Sequence, residues 1–300
     1  MNYVDLYQSG ELLQRIRSAY RRLRSCDICP HDCGVNRIKG EKGVCRVGLL
    51  PKIASANVHT GEEPPISGEK GSGTVFLSGC SLKCRFCQNF PISQLGNGSE
   101  LTTRELAARM VKLQKQGVHN INFVTPTHYL PQILAALYLA IPQGFSLPLV
   151  WNSSGYEKVD ALQLLDGIVD IYLPDMKYSV DDSAVRLSSA PGYREINRSA
   201  VSEMLHQVGH LRMNDDGLAK KGLIVRHLVL PEGLAGSRDT LKWIAENLGQ
   251  ETHISLMKQF FPAHQAPETT GINRKISDDE YEQAVEWLEE FDLENGWVQE

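Results

Sequence analysis

No stretch of this chain approaches the roughly 20 consecutive apolar residues that cross a bilayer, which excludes a conventional membrane-spanning helix. The first residues, Met1-Asn2-Tyr3-Val4-Asp5, lack the charged-then-apolar layout of a signal peptide. Basic charge is not in excess: 31 Lys plus Arg stand against 36 Asp plus Glu, a net charge of -5. That balance carries no electrostatic footprint for nucleic acid or an anionic membrane surface. There is no internal repeat and no low-complexity tract. Cysteines are few, 7 in 300 residues, and they are not scattered. Four fall between residues 26 and 45 and three between 80 and 87, which argues against a disulfide scaffold. In a reducing compartment such groups are metal ligands. A cytoplasmic protein with neither a membrane nor a nucleic-acid partner is expected.

What is present is an alternation of apolar runs and amphipathic stretches from Thr74 onward. Strands are predicted at Thr74–Leu77, Asn120–Val124, Leu147–Trp151, Val169–Leu173, Leu223–Leu230 and His253–Met257, with a further short one at Lys52–Asn57. Helices are predicted between them, at Leu130–Leu139, Glu157–Leu165, Val201–Val208 and Ser237–Leu248. Thr102 with Glu105, and Ser277 with Glu280, read as capping boxes that open two more. Alternating strand and helix implies a parallel sheet. Six such units fit an α/β fold of the open partial (β/α)6 barrel type, since the length does not suffice for eight. Residues 51–300 would form this domain. Residues 1–50 would form a small N-terminal module, with a helix at Glu11–Arg24 and a cysteine-rich knob. Asn214–Lys221 reads as a surface turn and Leu293–Glu300 as a tail. The helix Glu11–Arg24 carries Arg15, Arg17, Arg21, Arg22 and Arg24 opposite its apolar stripe. This face is either an RNA contact or, more ordinarily, a solvated face packed on the body.

The stretch around which the chain is organised is Gly79-Cys80-Ser81-Leu82-Lys83-Cys84-Arg85-Phe86-Cys87-Gln88-Asn89. Three cysteines at Cys-x3-Cys-x2-Cys spacing follow the first strand of the alternation. Three thiolates on one loop can converge on one soft metal centre. A four-iron cubane is usually held by four cysteines, so three would leave one iron open to a substrate or cofactor. The competing readings are a zinc site, which prefers four ligands in paired Cys-x2-Cys form, and a plain electron carrier. A second group, Cys26-x2-Cys29-x3-Cys33-x11-Cys45, sits among Gly34, Gly40, Gly43 and Gly48. It could close a zinc site or an auxiliary iron–sulfur cluster, and so short a segment needs a metal to fix its fold. His31 is a spare ligand or polar filler.

In parallel α/β folds ligands gather at the carboxyl ends of the strands. This points to Thr125-Pro126-Thr127-His128, Asn152-Ser153-Ser154-Gly155, Asp175-Met176-Lys177, Arg226-His227 and Lys258-Gln259-Phe260. His128 and His227 are at least as readily explained as hydrogen-bonded structural histidines.

The cysteine loop, with its Gly-Cys-x3-Cys-x-Phe-Cys-Gln-Asn pattern and the approach Glu62-Glu63-Pro64-Pro65-Ile66-Ser67-Gly68, resembles the radical S-adenosylmethionine (SAM) enzymes. Its flanks are similar to those of the glycyl-radical-enzyme activases, such as the pyruvate formate-lyase activating enzyme. The resemblance implies a [4Fe-4S] cluster on Cys80, Cys84 and Cys87, with SAM on the open iron. It implies reductive cleavage of SAM to a 5′-deoxyadenosyl radical, which then takes a hydrogen atom from a substrate. It also implies an electron donor such as flavodoxin or ferredoxin, and a glycyl-radical enzyme as partner. Asp175-x-Lys177 resembles the activases' SAM-contacting Asp-x-Lys, Asn152-x-x-Gly155-Tyr156 their Asn-Gly-aromatic turn, and Arg226-His227-Leu228-Val229-Leu230-Pro231 their Arg-x-Val-Val-Pro strand. The chain departs from the family where a Gly-Gly-Glu turn cradles the SAM ammonium. Here Thr125-Pro126-Thr127-His128 stands instead, and threonine hydroxyls and a carbonyl could accept those N–H bonds. The rival functions are a radical SAM enzyme acting on RNA or a small metabolite, and a non-catalytic iron–sulfur or zinc protein.

Overall fold

The computed structural model describes residues 2–299. Ten strands form one sheet: β1 (Lys52–His59), β2 (Ser72–Leu77), β3 (Ser99–Glu100), β4 (Ile121–Val124), β5 (Leu149–Ser153), β6 (Ile171–Pro174), β7 (Arg212–Met213), β8 (Ala219–Leu228), β9 (His253–Met257) and β10 (Gly296–Val298). Their order is β10-β9-β8-β6-β5-β4-β2-β1-β3, with β7 paired to β8. From β2 to β10 all neighbours on this path are parallel, whereas β1 pairs antiparallel with both β2 and β3. The sheet is open, so the expected partial barrel with six strand–helix units holds. β4, β5, β6 and most of β2 are buried, as apolar strands covered by helices on a parallel sheet should be.

Three differences from the sequence reading have local causes. The stretch expected to be a tail contains β10, which pairs with β9 through Gly296, Trp297 and Val298. Three residues are too few to show a period, and the edge of β9 supplies the pairing. Residue 300 lies outside the described residues. The expected surface turn is narrower, because Ala219–Lys221 already belong to β8 and pair with β7. The predicted helix from Glu157 begins only at Val159, giving Val159–Leu162 and a 3-10 turn, Gln163–Leu165. Glu157 is instead buried, and its carboxylate accepts from Trp151 Nε1 at 3.0 Å and Ser153 Oγ at 2.7 Å. The helix ending at Val208 starts at Tyr193, and a helix Asp181–Ser188 precedes it. Both capping boxes are formed, opening Thr103–Lys115 and Asp278–Glu290.

The N-terminal helix Glu11–Arg22 buries Leu12, Ile16 and Ala19 in the same core as Leu134 and Leu137 of helix Leu130–Ala140. Two of its arginines form ion pairs within the chain, and Arg21 donates to Ser18 Oγ at 2.8 Å. Arg15 pairs with Glu11, and Arg22 pairs with Asp27 at 2.7 Å and Asp160 at 3.1 Å. No helix among the described residues is long and apolar enough to cross a membrane.

One turn after β5 fixes the top of the sheet. Gly155 has φ +66°, and a Cβ there would strike Asn197 Nδ2 and stand 2.5 Å from Asp175 O. Only glycine combines a left-handed backbone with that approach. Gly155→Ala should therefore cost about 1–3 kcal/mol in urea unfolding. An unchanged midpoint would show that the turn relaxes freely.

Candidate active site

The cysteine loop leaves β2 and is held along its length by main-chain bonds. Gly79 N donates to Ile92 O at 3.1 Å, while Lys83 N and Arg85 N donate to Ser188 O and Leu187 O, each at 2.8 Å. Leu82 and Phe86 anchor it in an aromatic cluster with Tyr156, Tyr178, Tyr193 and Phe260. Cys80 and Cys84 pack against the edge of the same cluster. Each sulfur has a polar neighbour. Leu82 N donates to Cys80 Sγ at 3.3 Å, Ser188 Oγ donates to Cys84 Sγ at 3.0 Å, and Cys87 Sγ lies 3.2 Å from Ser93 Oγ. Burial pushes the Cys80 thiol up to about 12 and the Cys84 thiol to about 11. Lys83 is half-buried with its ammonium on Cys80 O at 3.0 Å, whereas Arg85 is exposed.

The loop forms one wall of a cavity of about 420 Å³ at the carboxyl ends of the strands. Opposite Cys84 and Cys87 stand Asn152, Asp175, Lys177 and Arg226. The four form one network. Asp175 Oδ2 accepts from Lys177 Nζ at 2.6 Å and Oδ1 from Arg226 Nε at 2.9 Å, while Arg226 Nη2 donates to Asn152 Oδ1 at 2.6 Å. Burial alone would raise the Asp175 carboxyl, but the Arg226 and Lys177 cations outweigh it and hold it below its ordinary value. Lys177 and Arg226 are both shifted up, because the Asp175 charge outweighs their own burial.

Thr125 does not line this cavity. Its φ is +58°, and its N–H donates to Asn152 O at 2.8 Å, continuing the β4–β5 ladder. His128 points the other way, with Nε2 3.0 Å from Ser78 O. Burial lowers His128 to about 3 and His227 to about 4, so both rings are neutral. His227 spans Met176 O and Ser237 Oγ at 2.6 and 2.9 Å, as a structural histidine does.

Four residues support the site to which the sequence reading gave no role of their own, although Glu62 belongs to the approach motif. Glu62 enters the cavity from the loop after β1, within 3.5 Å of Asn152 Nδ2, and burial raises its carboxyl. Tyr193 Oη donates to Ser154 O at 2.8 Å and accepts from Lys177 N at 3.0 Å, and Asn197 Nδ2 donates to Asp175 O at 2.9 Å. Ser188 holds Cys84. None of these ends a parallel strand.

The four other cysteines, Cys26, Cys29, Cys33 and Cys45, line a second, small cavity together with Arg37 and His128. Burial pushes Cys29 up to about 12 and Cys45 in the same direction.

Residues 74–205 match the radical SAM superfamily. The chain belongs to the radical SAM superfamily. It is 32% identical over 303 residues to an uncharacterized protein of Methanocaldococcus jannaschii, over 98% of this chain and 82% of that protein. It is 23% identical over 228 residues to the pyruvate formate-lyase-activating enzyme of Clostridium pasteurianum, over 74% of this chain and 86% of that enzyme. A solved structure of TYW1 with a lysine-pyruvate adduct bound aligns over 74% of each chain, at 13% identity and a TM-score of 0.44.

Membership makes the protein an enzyme that uses a [4Fe-4S] cluster and SAM and requires an electron donor. The residues present fit the cluster. Cys80, Cys84 and Cys87 are half-buried on one loop held by main-chain bonds, each sulfur beside a polar neighbour, and a cluster would displace their protons on binding. Among the described residues no three His, Cys, Asp or Glu are gathered as ligands of a single metal ion. A cubane spreads its cysteines over separate irons and asks for wider spacing.

Asp175→Asn would leave two largely buried cations, Lys177 and Arg226, without their shared partner. A loss of about 3–5 kcal/mol in urea unfolding is expected. Because Asp175 is shifted down, the parent keeps this contribution above about pH 4, its unfolded value. It loses it only as pH falls further, through the folded value. A mutant as stable as the parent at pH 7 would contradict the pairing.

Proposed function

We propose that this is an activase-type radical SAM enzyme that takes a hydrogen atom from a backbone glycine of a partner enzyme. When bound on Cys80, Cys84 and Cys87, the cluster and SAM supply a 5′-deoxyadenosyl radical. In this reading Lys177 receives the SAM carboxylate, held in place by Asp175, and Asn152 serves the ribose hydroxyls, held in turn by Arg226. Glu62, the carboxylate that reaches the cavity, takes the SAM ammonium in place of the turn containing Thr125. Leu228, Met257 and Phe260 give the remaining wall an apolar surface that limits water.

The observation that carries the activase reading is the likeness to the Clostridium activating enzyme along most of that enzyme's length. The cavity supports it. About 420 Å³ is room for one cofactor-sized ligand. A substrate must then be met at the mouth, where Gly61, Gln88, Asn89 and Gln259 are exposed. An extended peptide loop suits such an opening. The four N-terminal cysteines are read as a second metal centre, of zinc or iron–sulfur.

The protein, reconstituted and reduced anaerobically, should convert SAM to 5′-deoxyadenosine. Alanine at Cys80, Cys84 or Cys87 should abolish this. With a glycyl-radical enzyme deuterated at glycine, the nucleoside should carry deuterium and the partner a glycine-centred radical by electron paramagnetic resonance. Nucleoside without deuterium and without a partner radical would sink the activase reading while leaving SAM cleavage standing.

A further inference from the structure

Arg37 is 1% exposed and faces the second cavity. Its guanidinium donates only to neutral carbonyls: Nη1 to His128 O at 2.7 Å, and Nε and Nη2 to Gly48 O at 3.1 and 2.8 Å. None of the ion pairs among the described residues includes it. A guanidinium cannot shed its charge by deprotonation, and a buried charge without an opposite one is strongly disfavoured. Four protonated thiols supply no countercharge. These cysteines are not gathered for a single ion, but four thiolates on the separate irons of an oxidised iron–sulfur cluster carry about -2.

We infer that Cys26, Cys29, Cys33 and Cys45 close a four-thiolate metal centre of net negative charge, that Arg37 is its counter-cation, and that the centre braces the loop of the SAM cluster. This rests on reading those cysteines as metal ligands, and it adds their charge state, the residue that balances it and what the centre holds. On binding, each thiol gives up its proton to solvent and forms one metal–sulfur bond, with no change of oxidation state. The pocket is shaped for sulfur. Gly43 stands where a Cβ would lie 2.7 Å from Cys33 Sγ, and Val44 N points at the same sulfur from 3.5 Å.

The bracing is direct. A Cβ on Gly79 would lie 2.7 Å from Cys45 O, so the two cysteine segments touch through their backbones. His31 Nε2 is 2.7 Å from Ser81 O. Arg37 holds His128 O, and His128 Nε2 reaches Ser78 O. Residues on both sides of Cys80 are thus gripped from the N-terminal segment.

The test uses the full chain with Cys80, Cys84 and Cys87 all changed to Ala, which removes the SAM cluster and separates this inference from the catalytic reading. Purified anaerobically, it should retain about two to four irons per chain. Adding Cys45→Ser should remove them. In the same background Arg37→Met should release the metal at a chelator concentration at least roughly tenfold lower, and Arg37→Lys should restore much of the retention. A folded triple variant without metal, or equal release from the parent background and Arg37→Met, would overturn the inference. If Arg37→Met does not fold, stripping metal from the triple variant decides. A lowered melting temperature supports the centre and an unmoved one overturns it.

Discussion

A carboxylate buried between two cations sets the terms for the top of this sheet. Asp175 lies at the end of β6, and its partners come from the residue two places on and from the neighbouring strand β8. Removed from water, none of the three charges is tolerable alone. Their pairing therefore ties adjacent strands, and it leaves an ordered row of donors on the cavity wall facing Cys84. The surrounding neutral groups follow from the same constraint. Tyr193 and Asn197 hold the backbone of Asp175 and Lys177, and Gly155 leaves room for Asn197 to do so.

The cysteine loop obeys a different rule. Its Leu82 and Phe86 are buried in an aromatic cluster, and Cys80 and Cys84 pack against the edge of that cluster, so apolar burial fixes where the thiols stand. Its backbone is then bonded to the end of helix Asp181–Ser188, and the same residue, Ser188, bonds main chain to the loop and side chain to Cys84. The N-terminal segment grips the loop from the other flank. A catalytic position is thereby held from three directions by segments that are distant in sequence.

Much of this could be read from residue patterns. Strand alternation, the two capping boxes and the cysteine spacing are local signals, and local signals survive folding. The rule that ligands gather at strand ends named Asn152, Asp175, Lys177 and Arg226, and all four line the cavity. The rule also named Thr125, which does not line the cavity and has a left-handed backbone at the first residue after β4. It also had no means of finding Glu62, which arrives from the loop after the antiparallel edge strand β1. Ser188, Tyr193 and Asn197 lie on helices whose polar early turns hide their periodicity. Arg37 was invisible for a plainer reason: an arginine in a glycine-rich loop looks solvated until its neighbours are known.

The sheet order has a consequence for how the chain folds. From β2 through β4, β5, β6, β8, β9 and β10, strands occur in space in the order in which they occur in sequence. Each strand of the path can therefore pair with one already laid down. The loop to be closed at each step is a single crossover rather than the whole domain, and its entropy cost stays small and similar from step to step. The growing edge is exposed only until its successor arrives, which shortens the time an unpaired strand is open to a second chain. β10 does this for β9. Tyr281 secures it, donating its hydroxyl to Leu256 O and accepting from Gln299 N. A few residues with no periodicity of their own thus serve as the sheet's selvedge.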